Sequence, residues 1–436
     1  MATVQRPGPE VERPSEGDRR FRTFDSLIEV RAFRWYMASM VGNWSSLQMQ
    51  QVVRGYLVYY LTGSYAALGG MALANSAPRL ILALFVGVVA DRVPKRLVIQ
   101  LGQVFSALLT LTIAMLLVLG RLRFEYLVAS AVLQGISNSF TQPARQALIP
   151  EIVGLRRLTN AVALNASGMN VMRLTAPAVA GLMLAFVGPE WVYFFMTAMY
   201  SLAAVALLRV PHEPIEGYEV PQRSAARAAR SDRSGLRDIA DAMRYLRGES
   251  TLAMLLIVHL FIVVFSMPFQ QLLPGFVADV LVGGDAEGSG LPLGMLFTAM
   301  GVGALLGSLS IASMGHGQRG RVLLLGTALM GAALLAFTWS ESFWLSAAII
   351  VVIGLGQSAR QALSQVLIQS NVSNEYRGRI SSIMMMEMGL TSFGTFGIGI
   401  LASKVGIQES LALAAVALML VAVVVYVFVP RYRELD

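Results

Sequence analysis

Long apolar runs alternate with short, arginine-rich loops along the chain, and this alternation constrains its fold more than any other feature. Of the 436 residues, 56% are hydrophobic and only 14% are charged, whereas soluble domains are about a quarter charged. A single aqueous core cannot bury so much apolar surface, so the sequence predicts an all-α protein solvated by lipid. Twelve runs approach the ~20 residues that a membrane-spanning helix needs: about 33–61, 68–90, 96–119, 123–148, 160–187, 191–209, 251–281, 291–313, 321–339, 343–369, 379–404 and 409–429.

One long polar segment divides these spans into two sets of six. It extends from Pro211 to about Ser250 and combines seven arginines with apolar residues at helical spacing. This pattern predicts an amphipathic helix along the membrane surface. The expected organisation is an N-terminal tail with an interfacial segment (1–30), a six-helix bundle (31–210), the linker (211–250), a second six-helix bundle (251–430) and a short C-terminal tail (431–436).

The loop cations predict the orientation of the chain. Most lysines and arginines outside the apolar runs fall in the tails and in alternate loops, whereas the opposite loops contain only Arg121, Arg123 and Lys404. Cytoplasmic loops are enriched in these residues. We therefore expect a multi-pass protein of the inner (cytoplasmic) membrane with both termini in the cytoplasm. Twelve spans agree with this, because an even number places both termini on the same side.

The two halves of the chain repeat one another. Residues 142–148 (QPARQAL) recur as 357–363 (QSARQAL) in the fourth and tenth spans, and residues 50–56 (QQVVRGY) recur as 270–276 (QQLLPGF) in the first and seventh. These positions are equivalent in two sets of six spans. Duplicated halves are typical of transporters that move around a central site.

A polar hinge at residues 87–96 (GVVADRVPKR) separates the second and third spans. It matches the pattern G-x-x-x-D-R-x-x-(K/R)-R. With segments 61–64 (LTGS), 143–148 (PARQAL), 173–177 (RLTAP) and 377–379 (RGR), it makes the chain resemble the major facilitator superfamily, in particular the branch of macrolide and enterobactin exporters. The resemblance covers nearly all of residues 33–430. It implies two pseudo-symmetric six-helix bundles, with spans 1, 4, 7 and 10 around a cavity and spans 2, 5, 8 and 11 between the halves.

The resemblance also implies a gate at the hinge. Asp91 would face the positive N-terminal end of span 11, and Gly87 would allow the close approach of the two helices. Alternatively, the hinge serves only to orient the protein in the membrane. Arg145 and Arg360 either gate the cavity or extend to lipid phosphates. The expected gating residues are Gly87, Asp91, Arg92, Arg96, Arg145 and Arg360.

Polar side chains inside the spans are the candidates for substrate binding, because charges within a membrane are costly and usually functional. Asn43, Gln50 and Arg54 follow one another at spacings of seven and four, which keeps them on one helix face. Many relatives have a Gly-Asp-Trp triplet where this chain has Gly-Asn-Trp. The expected substrate-binding residues are Asn43, Gln50, Arg54, Asn75, Arg79, Arg173 and Gln357.

Glu387 is the first candidate for proton coupling. At ~1.5 Å per residue, Arg79 and Glu387 lie about 16 Å and about 12 Å from the cytoplasmic ends of spans 2 and 11, which the resemblance places side by side. We therefore expect an ion pair, which is either a titrating site or a static contact. His259 is the second candidate, unless its ring is simply hydrogen-bonded to a carbonyl.

These features favour a secondary exporter driven by the proton gradient. The chain has no phosphate-binding G-x-x-x-x-G-K-(S/T) loop, no cysteine, and only three dispersed histidines, so we expect no enzyme, no metal and no cofactor. The arginine-rich cavity favours a small anionic or amphiphilic organic substrate. The alternatives are efflux of cationic drugs or macrolides, a lysophospholipid or lipid flippase, and a non-transporting sensor. The expected partners are the substrate, protons and membrane lipids, without nucleic acid, and the expected state is a monomer.

Overall fold

The computed structural model describes residues 25–90, 93–211, 244–246, 248–313, 317–373 and 376–435, without the side chains of 83–90, 312, 377–379, 381–382 and 385–388. Throughout these ranges the regular structure is helical. The helices are α1 (Asp25–Glu29), α2 (Arg31–Thr62), α3 (Tyr65–Ala90), α4 (Lys95–Val118), α5 (Phe124–Phe186), α6 (Pro189–Leu207), α7 (Ser250–Phe276), α8 (Gly290–Ala312), α9 (Arg319–Thr338), α10 (Phe343–Ser370), α11 (Arg377–Val405), α12 (Ile407–Phe428) and α13 (Pro430–Arg433).

The helix α5 contains two spans. It is 63 residues long, and Gly154 interrupts it with φ 71° and ψ 169°, a conformation open only to glycine. Within the described ranges, eight helices, α5 among them, are long and apolar enough to cross a membrane. The helices α2, α3 and α11 are of similar length, at 32, 26 and 29 residues, and contain the polar residues discussed above. The predicted all-α membrane fold is confirmed, and the division at residues 30, 210, 250 and 430 stays a prediction.

Each set of six spans packs as a bundle. In the first bundle α2 and α4 pack against α5 and α6, and α3 packs against α5; in the second, α8 and α9 pack against α10, and α7 packs against α11 and α12. Between the bundles, the most extensive contacts join α3 to α11 and α5 to α8. This confirms the expectation that spans 2, 5, 8 and 11 form the interface between the halves.

The two ends of the molecule differ. We call the end with α1, Gly154 and α13 the terminal end: there the Ser26 amide donates to Asn160 Oδ1 at 3.2 Å, and the Gly320 amide donates to the Leu435 carbonyl at 3.0 Å. We call the opposite end, with the loops after α2, α4 and α9, the distal end. Large apolar side chains such as Leu420, which is 62% exposed, cover the outer surface in between, where lipid would solvate them.

Glycines bring the halves into backbone contact towards the distal end. A Cβ atom at Gly181 of α5 would lie 2.5 Å from the Cα of Gly294 in α8, and a Cβ at Gly69 of α3 would lie 2.8 Å from the Cα of Phe396 in α11. Small residues allow membrane helices to approach closely enough for backbone packing. The halves are therefore closed against one another at this end.

Candidate functional site

Two partly buried arginines lie close together in the first bundle. Arg54 of α2 and Arg79 of α3 are close enough to repel one another, and Arg54 also faces the hydroxyls of Tyr193 and Tyr200 on α6. Arg79 Nη2 donates to Asn75 Oδ1 at 3.3 Å, one turn earlier on the same helix. Arg54 Nη1 and Arg79 Nε are buried and have no hydrogen-bond partner within the described part of the chain.

Arg145 joins two spans of the same bundle. Its Nη2 donates to Asn43 Oδ1 at 2.7 Å, and its carbonyl accepts a hydrogen bond from the Tyr36 hydroxyl at 3.2 Å. Asn43 is only 1% exposed. The head group of Arg145 thus lies inside the bundle, which excludes the alternative in which it extends to lipid phosphates.

Arg360 is the corresponding residue of the second bundle. Its side chain is 3% exposed, and its Nε and Nη1 are buried without a hydrogen-bond partner among the described residues. Arg173 of the first bundle and His259 of α7 lie within electrostatic range of it. On the preceding turn of α10, Gln357 Nε2 donates to Gln270 Oε1 of α7 at 3.4 Å. Arg173 and Arg360 therefore place like charges on opposite halves.

These five arginines have no acidic partner in the part of the chain that the structure describes. The described ion pairs lie elsewhere, near the ends of the bundles, between Lys95 and Glu151, Arg123 and Glu125, and Arg157 and Glu29. A buried cation without a counter-ion is costly. The arrangement is suited to attract an anion to the space between the bundles.

The remaining predicted residues are placed as follows. Gln50 is buried in α2 at 6% exposure. Arg96 Nη2 donates to the Leu208 carbonyl at 2.9 Å, at the end of α6 in its own bundle. Asp91 and Arg92 lie outside the described residues, and only the helical backbone is described at Gly87 and Glu387. The hinge gate and the pair of Arg79 with Glu387 therefore stay predictions.

Sequence reasoning missed a cluster at the distal end. The Asp279 carboxylate accepts hydrogen bonds from the Tyr59 hydroxyl at 2.5 Å and the Tyr65 hydroxyl at 2.6 Å, both at Oδ2. It also missed the tyrosines beside Arg54. Tyr193 and Tyr200 are seven residues apart on α6, a spacing that keeps two hydroxyls on one face and was visible in the sequence.

A family model described as transmembrane secretion effector matches residues 26–436. The chain is 25% identical to the multidrug efflux pump Tap of Mycolicibacterium fortuitum over 391 residues, covering 87% of this chain and 91% of that protein. It is 22% identical to the staphyloferrin A transporter of Staphylococcus aureus (91% and 94% covered) and 22% identical to macrolide efflux protein A of Streptococcus pyogenes (91% and 96% covered).

Solved structures show the same fold. The nucleoside transporter NupG superposes with a TM-score of 0.69 at 13% identity, covering 90% of this chain and 98% of that one. A bacterial homologue of the human lysosomal transporter Spinster, in an inward-facing and occupied conformation, superposes with a TM-score of 0.69 at 14% identity, covering 95% and 99%. The chain therefore belongs to the transmembrane secretion effector family of major facilitator superfamily membrane transporters.

Proposed function

We propose that this transporter exports a small anionic or amphiphilic organic molecule by alternating access, in exchange for protons. The single observation that supports an anion is Arg360, which is buried with two unpartnered nitrogen atoms in the described structure. A guanidinium group remains charged, so a cationic substrate beside it would be repelled, whereas a carboxylate or phosphate would restore its lost solvation.

Arg173 connects anion binding to the movement of the two halves. It lies on α5 of the first bundle and is close enough to repel Arg360 on α10 of the second. An anion between the two would turn a repulsive pair into two attractive contacts. Because the partners belong to different bundles, anion binding would favour the state in which the bundles come together around it.

Protons complete the proposed cycle. Glu387 on α11 and His259 on α7 are the candidate titrating groups, and His259 lies near Arg360. An anion bound at Arg360 would therefore also lie near His259, which would couple substrate binding to the protonation of that ring. In this proposal the termini are cytoplasmic, because the loops at the terminal end are rich in arginine.

A second candidate is export of cationic drugs or macrolides. Its support is the names of the relatives, a multidrug efflux pump at 25% identity and a macrolide efflux protein at 22% identity. The two candidates differ in what the removal of Arg360 should do. Binding of an anion should be lost, whereas binding of a macrolide or a cationic drug should remain.

A thermal-stability screen of the purified transporter separates them. Its ligands are a catecholate siderophore, an anionic lysophospholipid, a macrolide and a lipophilic cation, each tested at two pH values. We expect the anionic ligands to stabilise the protein and the variant Arg360→Gln to lose this effect. The matched control is Arg123→Gln, an exposed arginine of the distal loop with 72% of its side chain accessible. Stabilisation by the macrolide or the cation that survives in Arg360→Gln would refute the anion proposal.

A further inference from the structure

At the distal end, one carboxylate of the second bundle holds two helices of the first. Tyr59 lies in the last turn of α2 and Tyr65 begins α3, and both hydroxyls donate to Oδ2 of Asp279. Their rings contact one another with centroids 5.1 Å apart. We propose that Tyr59, Tyr65 and Asp279 form a latch, here called the distal latch, that holds this end of the transporter closed. Asp279 is the hydrogen-bond acceptor that the two tyrosines share.

The backbone around Asp279 is shaped for the two rings. A π-helical turn, Val277–Leu281, follows α7 and contains Asp279. Such turns are rare and are frequent at functional sites. One turn earlier, a Cβ atom at Gly275 would lie 2.4 Å from Cε1 of Tyr65 and 2.7 Å from Cε2 of Tyr59. Only glycine leaves room for both rings at this position.

The latch covers an already tight contact between the bundles. A Cβ atom at Gly55 of α2 would lie 2.7 Å from Cγ of Pro274 in α7, and on the loop side the Tyr56 hydroxyl donates to the Glu287 carbonyl at 3.3 Å. The described contacts of α2 and α3 with α7 and with the segment that follows it therefore include polar as well as apolar partners. Any opening between α2 and α7 must break them.

The surroundings of the latch make it reversible. Tyr59 and Tyr65 are 7% and 6% exposed, whereas Asp279 is exposed. All three line an open cavity of about 590 Å³. Water can therefore hydrate the carboxylate as the tyrosines withdraw, which limits the cost of opening. The other polar side chains of this cavity are Ser64, Ser403, Gln408 and Glu409.

The latch stabilises the closed distal end relative to the open one. Hydrogen bonds to an ionised acceptor are roughly twice as strong as neutral ones, so Asp279→Asn should weaken both contacts at once. The expected shift is about tenfold in the ratio of open to closed distal ends. This inference rests on the alternating access proposed above, but on neither the charge of the substrate nor the identity of the proton site.

Distance measurements between spin labels test the latch directly. The chain has no cysteine, so labels at Arg121→Cys, in the loop after α4, and Trp344→Cys, at the start of α10, mark the distal ends of the two bundles. Pulsed electron paramagnetic resonance in lipid nanodiscs, without substrate, would compare the labelled parent with Asp279→Asn and with the double variant Tyr59→Phe/Tyr65→Phe. The matched controls are Glu409→Gln, which removes an acid from the same cavity, and Tyr60→Phe, an exposed neighbour of the latch.

We expect both latch variants to gain a population with a longer distance, increased about tenfold over the parent, and both controls to resemble the parent. If Asp279→Asn folds poorly, as judged by its thermal midpoint, the tyrosine variant decides. Distances unchanged in a folded latch variant would overturn the latch, as would an equal change in Glu409→Gln. Because no substrate is present, neither result depends on the ligand screen, which tests the anion proposal separately.

Discussion

Asn43 shows how one neutral side chain fixes a buried cation. Its Oδ1 accepts from Arg145 Nη2 at 2.7 Å, while its own Nδ2 and the Nε of Arg145 have no partner among the described groups. An acid at position 43 would neutralise Arg145. An amide orients the arginine and leaves its charge in place, so the local field remains positive and available to an anion.

The variant Asn43→Leu should therefore destabilise the protein by about 2–3 kcal/mol, because it leaves the Arg145 head group buried with one hydrogen bond fewer. Adding Arg145→Met should recover much of this loss, because an apolar pair needs no partner. The free energy of unfolding is measured in mixed micelles for the two single variants and the double variant. The three values give the coupling energy between Asn43 and Arg145. Strictly additive effects would show that the hydrogen bond contributes nothing.

At the scale of the helices, the sequence predicted the spans better than it predicted depth within them. The predicted spans 123–148 and 343–369 place Arg145 three residues and Arg360 nine residues before their ends. In the structure, the first part of α5 continues past residue 148 to the break at Gly154, nine residues beyond Arg145. In contrast, α10 ends at Ser370, only one residue beyond the predicted span. Because α5 extends past its apolar run, hydropathy alone underestimates how far Arg145 lies from the end of its helix.

Gly154 determines the path of the longest helix, α5. Its φ of 71° and ψ of 169° let the chain leave one span and enter the next within α5. A side chain at this conformation is strained, and Gly154→Ala should cost about 1–3 kcal/mol of unfolding free energy. The control is Gly397→Ala in α11, where a Cβ atom meets nothing within 4 Å. A thermal midpoint as high as that of the control would show that the turn relaxes without strain.

At the scale of the whole molecule, the internal repeat predicted two bundles, and the resemblance predicted which spans lie between them. The distal latch was not predictable in this way. Asp279 is 220 residues from Tyr59 in sequence, the same offset that separates residues 50–56 from residues 270–276. The two latch residues therefore occupy equivalent positions of the repeat, but the repeat alone does not predict that equivalent positions touch. Which side chains meet across the halves depends on how the bundles dock, and sequence periodicity describes each helix alone.

The glycine contact between α5 and α8 limits how closely the two halves of the molecule approach at the distal end. A Cβ atom at Gly294 would lie 2.4 Å from the Cα of Gly181, so Gly294→Val cannot fit while the distal end is closed. This contact joins the two bundles, and the bundles can separate to relieve the clash. We therefore expect Gly294→Val to lengthen the distance between labels at Arg121→Cys and Trp344→Cys by opening the distal end.

Folding should change less than conformation in this variant. The control Gly326→Val lies in α9, where a Cβ atom meets nothing within 4 Å, and should leave the label distance unchanged. If Gly294→Val lowered the thermal midpoint by several degrees at an unchanged distance, the clash would be absorbed inside a bundle. In that case the two halves would not move as separate bodies. A longer distance with a folded protein would instead show that the crossing of α5 and α8 sets how closely the distal ends approach.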